Sequence, residues 1–342
     1  NFGSTGQSAF SAGGTPPGVV ASTEQWTFTG INPTDPAVGY ADAIVGQMYY
    51  NSSTGSFKAI KDGLASGTWS SGGNLNTGRS GLGGAGTKSA ALAFGGDSPS
   101  LNETEEYNGS SWSEQNNLNT GRRAAAGFGI QTAAVMAGGL VNTTDNRNLN
   151  SSEEYNGTSW SEGNNLNTGR DILAGAGTLT AGLCFGGFEP GNSGKTEEYD
   201  GTSWSEQNDL NTVVRGSSRA GIQTSALSFG GDGPAPGIQV ATEEYDGTSW
   251  TTGGNYPVAQ EAGTGSSGPQ TAALGFGGYT TSSTNVYDGS SWTATASMAT
   301  ARGGLGGDGT NATSAIAFGG APSRNITEEF TDTAFSTKTV DV

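Results

Sequence analysis

An all-β fold, assembled from repeated four-stranded sheets, is predicted by three features of this 342-residue chain. Tryptophan recurs at Trp69, Trp112, Trp160, Trp204, Trp250 and Trp292, with steps of 43, 48, 44, 46 and 42 residues. Each copy reads as an aliphatic run ending in Gly-Gly, then Glu-Glu-Tyr, then a tight turn and the Trp. The third feature is composition: 60 glycines disfavour helix, and no segment sustains a 3.6-residue apolar period. A period in the forties with four short strands per copy is the signature of a propeller blade. One copy cannot bury its own apolar face, so the copies must stack.

The copy that begins at Arg122 shows each element in order. RRAAAGFGI supplies a first strand of small residues, suited to the crowded axis where blades converge. QTAAVMAGG is a nearly continuous apolar run, as expected of a strand covered on both faces. Gly138 and Gly139 end it with a bend that a β-carbon would oppose. SSEEYNG is the third strand, and its Asn-Gly turn is a strong hairpin signal. TSW opens the fourth. The rich Gly and Ser content does not signal disorder, because the apolar residues are periodic and 7 Trp, 10 Tyr and 13 Phe are present.

Six full copies occupy residues 79 to 335, the last with Phe330 and Phe335 in the aromatic places. An incomplete copy precedes them, with Gly13-Gly14 and with Trp26 in the Tyr place. Seven blades are therefore expected, with residues 1–26 a partial first blade, 27–68 an insertion, and 69–342 closing with 1–26 into one ring. The alternative is a six-bladed ring in which the Trp69 strand completes the last blade. In either case the tail STKTVDV alternates like a closing strand.

The Gly-Gly pair, the Tyr about a dozen residues on, the Trp five later and an Arg near the next copy's start resemble the kelch repeat. The resemblance covers nearly the whole chain and implies a kelch-like β-propeller. Within the insertion, VGQMYYNSSTGSFKAI resembles a β-hairpin motif of bacteriophage tail-fibre and other virion proteins, so an inserted β-hairpin is expected in the first copy. The mixture of repeats is similar to kelch-like proteins of marine phages.

Composition limits the partners. The formal net charge is -17, with 14 basic and 31 acidic residues, and Lys and Arg are not clustered. Nucleic acid is excluded as an expected partner, and no apolar stretch near 20 residues is available for membrane insertion. Cys184 is the one cysteine, so no internal disulfide forms, and a small buried strand residue is expected there. The chain begins with Asn1 and shows no signal peptide, which suggests a processed product or a piece of something larger.

Catalytic chemistry is not expected, and no cofactor or metal is implied. The chain has no histidine, which removes Ser-His-Asp hydrolysis and the imidazole ligands of the copper oxidases built on kelch-type propellers. DGTSW resembles the Asp box of sialidases, but Asp and Gly are adjacent here. The arginines Arg79, Arg122, Arg170, Arg215 and Arg302 occupy one recurrent place around the ring, so they do not converge on a sugar carboxylate. The paired glutamates, such as Glu105-Glu106, point to opposite faces of a strand and are expected to bond with those arginines rather than act as acid and base.

Function is expected where the repeat fails. The connection after each Gly-Gly varies in length and content, while the connection between copies stays close to NNLNTGR. The binding residues expected on the variable loops are Asp97, Asn102, Asn142, Asp145, Arg147, Glu189, Asn192, Lys195, Asp232, Gln239, Thr280, Arg324 and Asn325. The expected role is non-enzymatic: a fibre, appendage or decoration subunit of a phage virion, extracellular, contacting other virion subunits or a host-surface glycan, and able to form a homo-oligomer. A bacterial surface or secreted adhesin is the alternative, and a glycan-cleaving propeller a more distant one.

Overall fold

The computed structural model describes the strands at 8–12, 23–27, 48–51 and 56–59, and residues 67–97, 101–141, 148–233, 237–259, 265–278, 281–322 and 324–332. Two compact units are present: Asn1–Ser66 with Thr333–Val342, and Gly67–Asp332. In the first unit, Ser8–Ala12 pairs antiparallel with Thr23–Thr27, and Met48–Asn51 with Ser56–Ala59.

The second unit is a β-propeller of six four-stranded antiparallel blades. Blade 1 runs Gly83–Thr87, Ala90–Phe94, Thr104–Tyr107 and Trp112–Gln115. Blade 2 runs Ala126–Ile130, Ala133–Ala137, Ser152–Tyr155 and Trp160–Glu162. Blades 3 to 5 begin at Ala174, Ser218 and Gly265 and end at Gln207, Thr252 and Thr295. Blade 6 takes Gly306–Asn311, Ser314–Phe318 and Thr327–Thr331 from the end of the unit, and its outer strand, Thr68–Ser71, from the beginning. First strands of successive blades touch, and that of blade 6 touches that of blade 1, so they surround the axis.

Six blades, not seven, is a correction. Gly13-Gly14 and Trp26 suggest a further copy, but Trp26 lies in a two-stranded sheet opposite Ala9. Trp69 stands opposite Phe330 and fills the Trp place of the last blade, which the sequence assigns to Phe335. The ring closes on itself through this strand exchange, which gives the last blade its fourth strand. Among the described residues there is no first-copy blade, so the pairing of Met48–Asn51 with Ser56–Ala59 does not support an insertion in one. Phe335 and the tail STKTVDV lie outside the described residues.

The junctions between blades account for the repeat. Most Trp indole N–H groups reach back to the Thr that opens the previous blade's third strand: Trp112 to Thr327 at 3.0 Å, Trp160 to Thr104 at 2.9 Å, Trp250 to Thr196 at 2.9 Å. Where Ser152 replaces that Thr, the Trp204 indole donates to the Asn164 carbonyl at 2.9 Å instead. The ring closure uses the same contact, Trp69 to Thr284 at 3.0 Å. Each Tyr hydroxyl donates to the second glutamate of the previous blade, as Tyr155 to Glu106 at 3.0 Å, Tyr245 to Glu198 at 2.9 Å and Tyr107 to Glu329 at 2.6 Å. Tyr199 and Tyr287 bind Glu154 and Glu244 in the same way. Burial, reinforced by Glu329, pushes the Tyr107 phenol up to about 12.

Departures from the repeat are matched across junctions. Between blades 5 and 6 the glutamate is Val286 and the tyrosine is Phe330, so donor and acceptor vanish together and an apolar contact replaces them. Between blades 2 and 3, Ala137 stands where the sister blades place a Phe against the next Trp. Phe128, from the first strand, takes over and meets Trp204 edge-on at 6.4 Å. Room for it comes from Gly182, where the sisters carry Ala91, Ala134, Ala226, Ala273 and Ala315; a β-carbon there would lie 2.4 Å from the Phe128 ring.

Two outcomes follow from these matched sets. Tyr155→Phe and Glu106→Val each strand a polar partner and should cost about 1–2 kcal/mol. The double variant copies the blade 5–6 junction and should recover most of that loss in a urea-denaturation double-mutant cycle. Strictly additive losses would contradict the coupling. Gly182→Ala, although it installs the sister residue, should destabilise by about 1–3 kcal/mol through overpacking. Calorimetry on Gly182→Ala with and without Phe128→Ala separates this clash from a general intolerance of alanine.

Candidate functional site

The first glutamate of each pair is consumed by the scaffold. Glu105 accepts from the Asn76 N–H at 2.8 Å and Nδ2 at 3.0 Å, and its other oxygen lies 3.0 Å from Arg79 Nη2. Glu153 with Asn119 and Arg122, and Glu197 with Asn167 and Arg170, repeat this clamp. Arg302 meets Glu328 at 2.6 Å. These arginines also donate to backbone carbonyls at the base of the variable connection, as Arg122 does to Gly138 and Ser151. Burial of a charge this complete is tolerated because the Nη groups and the carboxylates are paired, although the buried Nε–H of Arg79, Arg170 and Arg302 finds no acceptor among the described residues. The constant NNLNTGR segment is thus the clamp that fixes where each variable loop leaves its blade.

Arg215 departs from the expectation. Val214 occupies the clamp position, since its carbonyl takes the Gly187 N–H as the Arg170 carbonyl takes that of Gly139. Arg215 lies one residue on, in the place of Arg123, and binds Asp232 at 2.5 Å while covering the Phe188 ring. Where the guanidinium would be, blade 4 has a cavity of about 10 Å³ beside Glu243 and Gln239.

The predicted loop residues fall into separate groups. Asp97 pairs with Arg123 at 3.1 Å, and Asn102 Nδ2 donates to the Leu118 carbonyl at 3.3 Å. Glu189, Asn192, Lys195 and Asp232 are brought together by adjacent blades. Lys195 reaches Glu189 at 3.2 Å and Thr168 at 3.0 Å, and Asn192 Nδ2 donates to the Asp232 carbonyl at 3.0 Å. Gln239 Nε2 donates to the Gly237 carbonyl. The Arg324 and Asn325 carbonyls receive the Arg79 and Leu75 N–H groups. Asn142, Asp145, Arg147 and Thr280 lie outside the described residues. Beneath the loops, Asp171 is buried between the influence of Arg123 and Arg215, and burial raises its carboxyl above the ordinary range.

At this end of the axis the backbone forms a chain from blade to blade. Ala124 N–H donates to Gly81, Ile172 to Ala124 and Gly216 to Ile172, at 2.7 to 2.8 Å. All adopt positive φ, including Ile172 at 50°, a conformation that opposes a β-branched side chain. The ring geometry imposes it, because the same hydrogen bond recurs at glycine and non-glycine positions alike.

The opposite end of the axis holds a cavity of about 160 Å³, which the sequence-based expectation misses. Its floor is formed by Gly86, Gly129, Gly177, Gly221, Gly268 and Gly309. Two charged residues line it, Arg219 of blade 4 and Asp308 of blade 6. Arg219 Nη2 spans the axis to the Gly84 carbonyl of the facing blade at 3.1 Å. Asp308 accepts the Gly309 N–H at 2.8 Å. The signal was available: at the place of Arg219 the sisters carry Gly84, Gly127, Gly175, Ser266 and Gly307, and at that of Asp308 none is acidic. Among the described residues, no group of three or more His, Cys, Asp or Glu is spaced to hold a metal ion.

No protein-family model matches the chain, and no curated protein matches it. The fold is carried by the ring itself.

Burial raises the Asp308 carboxyl from its ordinary 3.8 to about 7, against the opposing pull of Arg219 and the Gly309 and Gly86 N–H groups. The folded chain therefore keeps this proton where the unfolded chain has released it. Its contribution to stability is fully present below the unfolded value and is lost as pH rises through 7. The melting temperature of the parent chain should fall relative to Asp308→Asn between about pH 5 and about pH 8. A difference that stays constant over that interval would show that the carboxyl is unperturbed.

Proposed function

We propose that this chain is a kelch-type, non-enzymatic structural and recognition protein, and that its ligands are read by the variable connections after each Gly-Gly. One observation carries the proposal: the repeated polar residues are spent on internal junctions, whereas the connections that differ project from one fixed base. Arg79, Arg122, Arg170 and Arg302 tie that base to the blades, so loop length can change without moving the strands. The glutamates that invite an acid-base mechanism are engaged by arginine and asparagine on one side and by tyrosine on the other.

The setting follows the sequence resemblance. A virion fibre, appendage or decoration subunit, extracellular and in contact with neighbouring subunits or a host-surface glycan, fits the phage-like segment VGQMYYNSSTGSFKAI. The Glu189, Asn192, Lys195 and Asp232 group of blades 3 and 4 offers a set of polar groups, brought together from two blades, for a glycan. Their neighbour Phe188, half-buried under Arg215, adds an aromatic surface beside them.

The full chain is expected to bind on a glycan array and to host cells. Replacing the Phe188–Lys195 connection with the shorter Tyr279–Ser283 one should abolish that binding without lowering the melting temperature. Binding that survives the exchange would remove blade 3 from the recognition surface. Absence of glycan binding, with a firm contact inside an assembled particle, would leave a purely structural subunit.

A further inference from the structure

The axial cavity is independent of the loops and of the reading built on them. Five blades leave the axis lined by small uncharged side chains at the place of Arg219, and the blades hold together without charge there. One cation and one anion have been placed in a single small cavity, in a chain with only 14 basic residues. Opposite charges in a confined space gain most by closing into an ion pair. None of the ion pairs among the described residues joins these two. Each is instead held by backbone: Arg219 by Gly84 across the axis, and Asp308 by Gly309. The other guanidinium N–H groups of Arg219 find no protein acceptor among the described residues, yet none is sealed away from solvent.

We propose that this cavity binds a small zwitterion of the amino-acid type, its carboxylate on Arg219 and its ammonium on Asp308. Opposite charges that line one cavity without forming an ion pair are complementary to a molecule that carries both charges at short separation. The volume sets the size. A cavity of about 150 Å³ accommodates benzene, so about six heavy atoms fit, which is the size of alanine. Ser266, Ser267 and the glycine backbone supply the remaining polar lining, and Phe128 is the one large apolar side chain in it.

Protonation of the site follows from the same groups. Arg219 and Asp308 are the charged residues of the lining, and the buried Cys184 thiol near Arg219 is pushed up to about 12 and stays neutral. Alanine should bind more tightly as pH rises from about 5 to about 8, because Asp308 must give up its proton to meet the ammonium.

The test uses the full chain, titrated with alanine by calorimetry and by amide NMR. Arg219→Ser and Asp308→Ser install the serines that blade 5 carries at these places, so the ring is expected to persist, checked by its melting temperature. Alanine should bind the parent chain, shift the amides of residues 219–222 and 307–310, and lose about tenfold or more in affinity in each variant. Acetate and ethylamine, each with half of the charge pattern, should bind more weakly than alanine. No heat and no shift at these amides with saturating alanine would overturn the proposal. Acetate binding as tightly as alanine would also overturn it in favour of a simple anion site. Should either variant fail to fold, the half-ligand series and the pH dependence on the parent chain decide alone.

Discussion

Every blade of this ring carries polar tips that it cannot satisfy by itself. The indole N–H, the tyrosine hydroxyl and the second glutamate all point out of their own sheet, and each finds its partner one blade away. An unpaired group of this kind in a buried setting costs more than a made bond returns. A single blade is therefore unstable for reasons of polarity as well as of apolar area. The exchange of Thr68–Ser71 into the last blade extends the same rule to the seam, where Trp69 binds Thr284 and packs on Phe276 at 5.0 Å.

That dependence explains why the repeat changes in sets. Val286 and Phe330 change together because either change alone would strand the other's partner. Blade 5 lacks the clamp arginine, and its glutamate is also replaced, by Asn285, whose amide donates to the buried Tyr256 hydroxyl at 3.2 Å. In blade 4 the set is incomplete: Val214 has replaced arginine while Glu243 remains, held by Asn211 and Thr212. The packed set of Ala137, Phe128 and Gly182 moves an aromatic ring from one strand to another while keeping a tryptophan covered. Sequence identity of the repeat is lost at such places, but its physical bookkeeping is kept.

How much could be read in advance divides along the same line. Strand order, the Gly-Gly bend, the hairpin turns and the use of Trp and Tyr between blades all follow from local pattern. Blade number did not, because Gly13-Gly14 and Trp26 mimic a copy, and only long-range pairing reveals that Trp69 belongs opposite Phe330. Arg215 was placed one residue out of register, since it stands beside Val214 in a segment that otherwise matches NNLNTGR. Variability in the loops identifies a surface but not which side chains meet. Glu189 and Asp232 come together through the order of blades 3 and 4, not through any spacing in the chain.

Arg219 and Asp308 mark the limit of a rule that assigns whatever recurs to scaffold and whatever varies to function. They lie in first strands, inside the repeated frame and not on the variable loops. Their separation along the chain is large, and they line one cavity only because the ring brings blade 4 and blade 6 around a single axis. The loop end of that axis is bound by the Gly81, Ala124, Ile172 and Gly216 backbone chain, which even a strained isoleucine serves. At the turn end the described residues show one such blade-to-blade bond, Gly221 N–H to the Gly268 carbonyl at 2.9 Å, and the charges lie beside it. An asymmetric axis of this kind gives one rigid ring two independent surfaces. The connections that differ lie at one end of the axis, while the other end holds a cavity lined by Arg219 and Asp308 from the first strands.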